Sequence, residues 1–375
     1  MKGVSMVLKR YGDQYIAKHG TRMTAQQKKV LRAVMACRED SLGTIQYACS
    51  GCGEVTHVPR SCCNRHCPAC QHQRQQQWLA SVQENLLPCQ YFLITFTLPA
   101  GLREFAMAHP KVLYVAMMSA AAQALQQAAT NPRHVGVSET GFTSVLHTWG
   151  RDLGYHPHVH VVVPAGGIDA GGVWQSSRAS VFVPEQILER LFRGKLKDKL
   201  RSESYFDSIP DDVWKGRFVV DSEAVGSGEF AVAYLAPYVM RGAVANRRVT
   251  QCDESTSLEG ASLTLQVKRS GTRQYKPMQM RVEEFIRRWL QHVLPAGFHR
   301  VRHYGFANAR SKRSLEEVRW LVAVSLERQY ELACSQQIVM AEPVAMQCPN
   351  CGGPMINLGY TPATTPLPQP ARAPP

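Results

Sequence analysis

Two C-x2-C pairs, Cys49–Cys52 in "CSGC" and Cys67–Cys70 in "CPAC", flank residues 53–66 and restrict what this chain can build there. Each pair can clamp one side of a tetrahedral Zn(II), with the intervening residues forming the knuckle. Cysteines buried as small hydrophobes would have no need of that spacing. The expectation is one closed, structural zinc site made of Cys49, Cys52, Cys67 and Cys70, contributing folding free energy rather than chemistry. Cys37, Cys62, Cys63, His57 and His66 are spare, either ligands of a second site or neighbours of the first. A further pair, Cys348–Cys351 in "CPNC", is half a site with no second half after it, which only ligands borrowed from elsewhere would complete.

The chain holds 12 cysteines. Without an export signal they fit metal better than disulfides. The start, "MKGVSMVLKRYGDQY", lacks the apolar stretch and cleavage site of a signal peptide. No apolar run approaches the ~20 residues of a membrane span, so a soluble intracellular protein with no membrane partner is expected. At 375 residues the chain can hold two or three domains. Its 43 Lys and Arg against 29 Asp and Glu give a formal charge of +14, which favours polyanionic partners.

Periodicity organises the rest. Residues 24–36 read as a short helix with Thr24 as N-cap. Residues 89–99, "CQYFLITFTLP", read as a buried strand, 111–128 as a helix, and 141–149 and 158–164 as two further strands. Residues 184–200 form an amphipathic helix with Pro184 in its first turn; 217–221 is a strand and 229–241 helical. The order β-α-β-β-α-β followed by a helix predicts an α+β fold, a ferredoxin-like split βαβ antiparallel sheet with helices packed on it. A hairpin over 261–282 and a helix over 282–293 follow, and "LPQPARAPP" is a disordered tail by composition. The boundaries expected are 1–84 for the N-terminal helix and zinc-binding domain and 85–255 for a catalytic domain. A basic hairpin and helical region that contacts DNA follows over 256–345, and 346–375 holds the last C-x2-C and the tail.

The segment "YHPHVHVVVP" puts His158 and His160 on one face of a strand, because residues two apart share a side. An isolated H-x-H in an apolar strand is more often structural than metal-binding. His147 in "VLHTWG" alters that weighting, since a neighbouring strand would bring it to ~5 Å from a directly opposed partner. Three imidazoles from two strands make a metal site with open positions; His156, beside Pro157 where the strand begins, is left out. Magnesium prefers oxygen and imidazoles suit softer divalent ions; manganese, or magnesium bound weakly and completed by phosphate, would both fit, and the choice between Mg2+ and Mn2+ stays open.

"YLAPY" spaces Tyr234 and Tyr238 one helical turn apart. A packed aromatic pair is the default reading of such spacing. Against it, Arg241, Arg247 and Arg248 follow directly, as suits a surface that faces phosphate, and the segment follows the last strand of the sheet that carries the histidines. Pro237 between the tyrosines kinks the helix or marks its start. A phenol of pKa about 10 needs a polarised target to act as nucleophile. A metal-bound phosphate is one, and the product would be a phosphotyrosine beside a free 3′-hydroxyl. No P-loop motif occurs in the chain.

The succession C-x2-C…C-x2-C, "YFLITFTLP", "HTWG…YHPHVH", "YLAPY" and "RVRHYGFAN" resembles the HUH-type two-tyrosine rolling-circle transposases of the insertion-sequence-91 family, over roughly residues 10–315. The resemblance implies His158 and His160 as paired metal ligands, His147 as a third by a looser match, and Tyr234 and Tyr238 as nucleophiles. It also implies metal-assisted cleavage and rejoining of single-stranded DNA at element ends and at target DNA through 5′-phosphotyrosine intermediates, in the cytoplasm and at the nucleoid. Strand backbone would be held by Arg241, Arg247, Arg248, Lys268, Arg269, Arg273, Lys276, Arg300, Arg302, Arg310, Lys312 and Arg313. Arg60, Arg65 and Arg74 in the zinc block face phosphate or solvent, and Tyr275, Phe298, Tyr304 and Phe306 stack on bases or fill the core. Two other readings stand beside this one: a replication initiator or mobilisation relaxase with the same chemistry, and a non-catalytic zinc-ribbon DNA-binding protein.

Overall fold

Residues 2–178, 180–233, 242–253, 255–268, 272, 274–327 and 346–363 are described by a computed structural model, with the backbone alone at 72 and 73. The fold is mixed α+β with antiparallel sheets. Its centre is a five-stranded sheet in the order β12 (Val301–Tyr304), β4 (Phe142–Trp149), β5 (Tyr155–Pro164), β3 (Tyr91–Thr97), β8 (Val219–Ala224). All neighbours in it are antiparallel. β3, β4, β5 and β8 are the strands expected from alternation, with shifted ends. β5 starts earlier than expected, at Tyr155, and so includes His156 and Pro157.

The two faces of this sheet have different company. Phe92, Ile94 and Phe96 of β3, Leu146 of β4 and Val159, Val161 and Val163 of β5 form one side. Against them pack α5 (Pro110–Thr130), which follows a 3-10 turn and the short α4 (Arg103–Ala108), and α6 (Glu185–Arg201). Pro110 opens α5, where a missing N–H costs nothing. Its many buried alanines, Ala116 to Ala129, let the helix approach the sheet closely. α6 buries Leu188, Phe192, Leu196 and Leu200, one stripe at a spacing of four. Pro184, expected within the first turn, is instead its N-cap.

A second core joins segments remote in sequence. α1 (Val4–His19) and α2 (Ala25–Met35) pack on α7 (Val282–Gln291) and on a sheet of β9 (Val249–Cys252), β10 (Ser262–Lys268) and β11 (Tyr275–Arg281). α2 begins at Thr24 in a capping box with Gln27. α7 buries Val282, Phe285, Ile286, Trp289 and Leu290, the i, i+3, i+4, i+7, i+8 stripe of a helix on a core. No element was expected over α1, yet Val4, Val7, Leu8, Tyr11 and Tyr15 carry the same spacing.

The remaining elements are β1 (Thr44–Cys49), β2 (Val55–Pro59), α3 (His72–Glu84), the pair β6 (Gly166–Ile168) and β7 (Trp174–Ser176), α8 (Leu315–Ser325) and β13 (Met355–Thr361). β13 adds to β1 opposite β2, so the N- and C-terminal parts of the chain share a sheet. This strand lies in the segment whose composition suggested only a C-x2-C and a tail. Among the described residues no helix is long and apolar enough to cross a membrane.

Candidate metal centre

β4 and β5 form a hairpin whose register sets His147 directly opposite His158 and Val145 opposite His160. Alternation then aims His147, His158 and His160 at the sheet face away from α5 and α6. Ring centroids are 5.2 Å apart for His147–His158, 4.4 Å for His147–His160 and 4.8 Å for His158–His160. One ring nitrogen from each lies within 4.8 Å of the others. The structure therefore brings together the three histidines singled out in the sequence.

Burial sets their protonation. His147 and His160 are 2% and 7% exposed, and desolvation of the cation pushes both well below the ordinary imidazole value. His158 is lowered to about 4, again chiefly by burial. At neutral pH all three are uncharged, the form that ligates metal.

Neighbouring groups fix the rings. His158 Nδ1 is 2.7 Å from the His156 carbonyl oxygen. A carbonyl only accepts, so Nδ1 carries the proton and Nε2 keeps the lone pair. His160 Nδ1 lies 2.9 Å from Thr95 Oγ1, presented by β3 in register with it. His147 stacks on Trp149 at 5.3 Å, and the Arg300 guanidinium sits 5.5 Å from that indole. His156 accepts at Nδ1 from Arg103 at 3.2 Å and stays outside the group. Three neutral imidazoles on one face fit a divalent ion that tolerates nitrogen, and leave positions for other oxygens.

Tyr234 and Tyr238, with Pro237 and Arg241, lie outside the described residues, as do Arg269 and Arg273. The approach to the tyrosines is described. Residues 229–233 are helical, and Ala231 and Val232 are buried with Val145 and Val162, the residues next to His147 and His160 on the histidine face. Gly228, at φ +83°, packs on the Tyr91 ring, where an added Cβ would come to 2.7 Å. A side chain there would block the turn of the chain onto the sheet. A cavity of about 640 Å3 extends along this face, lined among others by Val145, Val162, Val232, His303 and Lys312.

The cysteines assemble differently from expectation. Cys67 and Cys70 group with Cys37 and Cys62, whereas Cys49 and Cys52 group with Cys348 and Cys351, each set within 4.8 Å. The predicted quartet Cys49, Cys52, Cys67 and Cys70 is thus divided between two clusters. The reason is topological: β13 brings the last C-x2-C beside β1, and the end of α2 brings Cys37 to the loop after β2. His57, His66 and Cys63 belong to neither cluster. In the first cluster Cys67 and Cys37 are 3.6 Å apart and Cys62 and Cys70 3.7 Å. Hydrogen bonds with Cys62 and Cys67 pull the Cys70 thiol far down, and those with Cys67 and Cys70 push Cys62 up. Four sulfurs this close ionise together only around a cation, so the donor set fits zinc.

Basic residues divide into surface and core. Arg247, Lys268, Lys276, Arg310 and Lys312 are exposed. Arg248 is committed in part, donating to the carbonyls of Gln266 at 2.7 Å and Arg151 at 2.9 Å. Arg302 lies over Phe298 at 5.6 Å. Arg300, expected to grip a strand, is only 5% exposed, and Phe298 and Phe306 are core residues at 5% and 2%. Arg65 donates to the carbonyls of Phe298 at 2.5 Å and Pro295 at 3.1 Å, a structural use of its guanidinium. Arg313 pairs with Glu139 and Glu317. Tyr275 is exposed, with the Arg248 guanidinium over its ring at 5.9 Å.

Comparison with known proteins agrees with this layout. A family model described as "Putative transposase" matches residues 141–314, which hold the histidine hairpin, and one described as "Transposase zinc-binding domain" matches residues 7–98. "Putative transposase y4qJ" of Sinorhizobium fredii is 34% identical over 95% of this chain and 94% of its own. "Transposase for insertion sequence element IS801" of Pseudomonas savastanoi pv. phaseolicola is 26% identical over 73% of this chain and 68% of its own. No solved structure matches. A zinc-binding block ahead of the hairpin, and a relative aligned along nearly its whole length, lead to one assignment: the chain belongs to the insertion-sequence-91 family of transposases.

Proposed function

We propose that this transposase nicks and rejoins single-stranded DNA at insertion-sequence ends by way of 5′-phosphotyrosine intermediates, in rolling-circle transposition. The observation that carries the reading is the convergence of neutral His147, His158 and His160 on one sheet face, with the helical turn before Tyr234 packed on that same face. The strand order β8-β3-β5-β4, with α5 and α6 as the two crossovers, supports naming this unit a ferredoxin-like HUH core.

In the proposed chemistry a phenolic oxygen of Tyr234 or Tyr238 forms a bond to phosphorus as the P–O3′ bond breaks. The phenol loses its proton and the departing oxygen ends as a 3′-hydroxyl. The phosphotyrosine keeps the free energy of the diester, so attack by a DNA 3′-hydroxyl reverses the step without a nucleotide cofactor. A divalent ion on the three histidines would supply positive charge and alignment to the scissile phosphate. The sheet's part is to hold two of the imidazoles at fixed orientation, His158 through the His156 carbonyl of β5 and His160 through Thr95 of β3. Exposed Arg247, Lys268, Lys276, Arg310 and Lys312, together with Arg241, Arg248, Arg269 and Arg302, would hold the strand backbone in DNA ends and target. The cavity lined by Lys312 and His303 offers space for it on this face.

The test is incubation with single-stranded end oligonucleotides and Mn2+, followed by denaturing electrophoresis. A covalent adduct is expected, lost in the Tyr234→Phe/Tyr238→Phe double variant and in His158→Ala or His160→Ala. An adduct undiminished in the double Phe variant would remove these tyrosines as nucleophiles. Cleavage by the histidine variants in the presence of chelator would remove the metal.

A further inference from the structure

The third C-x2-C of the chain lies outside both matched regions, 7–98 and 141–314. Cys348 and Cys351 nonetheless face Cys49 and Cys52: Cys49 Sγ–Cys351 Sγ is 3.4 Å and Cys52 Sγ–Cys348 Sγ is 3.7 Å. A disulfide would need about 2.05 Å. Four thiolates around zinc, with Zn–S of about 2.3 Å, stand about 3.8 Å apart along each edge of the tetrahedron. The observed separations are therefore close to those a metal requires.

The two turns that carry these pairs repeat one another. Cys49 N–H donates to the Glu54 carbonyl at 2.9 Å and Gly53 N–H to the Cys49 carbonyl at 3.1 Å; Cys348 N–H donates to the Gly353 carbonyl at 2.8 Å and Gly352 N–H to the Cys348 carbonyl at 2.9 Å. Gly53 and Gly352 occupy the same left-handed conformation, φ 73° and 72°, with open space around each. Glycine is selected there by backbone angle and not by crowding. At Gly353 crowding decides, since a Cβ would sit 3.3 Å from both Cys351 Sγ and Cys49 Sγ. Two matched knuckles thus face one another with their sulfurs inward.

Packing alone does not account for the union. Of the seven residues of β13 only Met355 is buried, and the local cluster consists of Cys49, Cys348 and Met355 with Tyr47 and Met346 partly covered. So small a core is too little to hold a three-stranded sheet in water. We propose that Cys49, Cys52, Cys348 and Cys351 bind a second zinc ion, a closed tetrathiolate site that fastens the C-terminal strand β13 onto the N-terminal strand β1. The inference is independent of the nuclease reading and of the Cys37, Cys62, Cys67, Cys70 cluster.

The full chain purified with zinc should contain one zinc atom more, by elemental mass spectrometry, than Cys348→Ser/Cys351→Ser, whose circular dichroism spectrum should be otherwise native. Equal zinc content in the two proteins overturns the site. A second measurement covers the case in which the variant misfolds. Cys52, Cys63 and Cys351 are all exposed, and only Cys63 lies outside a cluster. In the zinc-loaded wild type, alkylation mapped by peptide mass spectrometry should label Cys63 at least about tenfold faster than Cys52 or Cys351, because bound sulfur is a poor nucleophile. Chelator should erase that difference. Equal labelling before chelator would overturn the proposal whatever the variant does.

Discussion

Thr95→Val isolates the support of one proposed metal ligand. Thr95 Oγ1 lies 2.9 Å from His160 Nδ1, and β3 holds it directly opposite His160 in the sheet. Valine keeps the shape and removes the hydrogen bond. Partners of ligating histidines typically contribute 10–100-fold to metal affinity, about 1.4–2.7 kcal/mol. The sheet supplies its own control in Thr97, opposite His158 in the same register. His158 takes its orientation from the His156 carbonyl, so Thr97→Val should change affinity little. Mn2+ binding, followed by loss of the free-ion electron paramagnetic resonance signal, reports the effect without any knowledge of the DNA. The expected result is a 10–100-fold weaker Mn2+ dissociation constant in Thr95→Val, with near wild-type binding in Thr97→Val. Equal shifts in the two variants, or none in either, would refute the assignment of His160 Nδ1 as the supported nitrogen.

Other consequences are as direct. His292 is buried between Thr148 Oγ1 at 3.2 Å and the Leu153 carbonyl at 3.1 Å, and burial holds it at about 4. Its folded value lies below the unfolded 6.5, so the stabilisation is complete above pH 6.5 and is lost as pH falls toward 4, about 3 kcal/mol in all. Urea unfolding at pH 7 and 4.5 should show that His292→Gln loses roughly 2.5 kcal/mol of the wild type's acid sensitivity; an unchanged sensitivity would mean that His292 is protonated in the fold. Gly305 at φ +53° would set a Cβ 1.9 Å from the Thr140 carbonyl oxygen. Gly305→Ala should therefore cost at least about 1–3 kcal/mol by thermal melting, and a neutral result would show that the turn after β12 yields. Arg300→Ala should lower stability by about 2 kcal/mol through loss of its contact with Trp149. Lys312→Ala should instead leave the melt unchanged and reduce the salt slope of DNA affinity by about 1; the reverse pattern would exchange their roles.

The half of the fold that carries the histidines was readable because its signals are local. Alternation in "YFLITFT" and in "HVHVVV", and the spacing of four in α6, each report a single element. The parity of His158 and His160 follows from that alternation alone. His147 needed one further step, the assumption that two adjacent strands pair. The hairpin register then placed it opposite His158. Arg300 was misjudged for a related reason. Composition marks a cation as a surface group, and only tertiary packing brings it beneath Trp149, away from phosphate. For Phe298 and Phe306, where base stacking and core were both open, packing decides for the core.

The cysteines show where local signals stop. Each C-x2-C determines its own turn, as the matched bonds around Gly53 and Gly352 illustrate, but says nothing about which other pair it will face. Proximity in sequence favoured joining Cys49 and Cys52 to Cys67 and Cys70. The outcome was set instead by long-range contacts: Cys37 arrives at the end of α2, which is held by α1 and α7, and Cys348 arrives with β13. Loop-closure entropy grows only slowly with length, so a partner some 300 residues away is hardly less accessible than a near one once the rest of the chain has folded. Metal binding would then return more free energy than the small local core of Cys49, Cys348 and Met355 can supply. On this argument the order of assembly runs from the sheet and α1–α2–α7 core outward. The two ends of the chain are joined last, after the histidine face is already built.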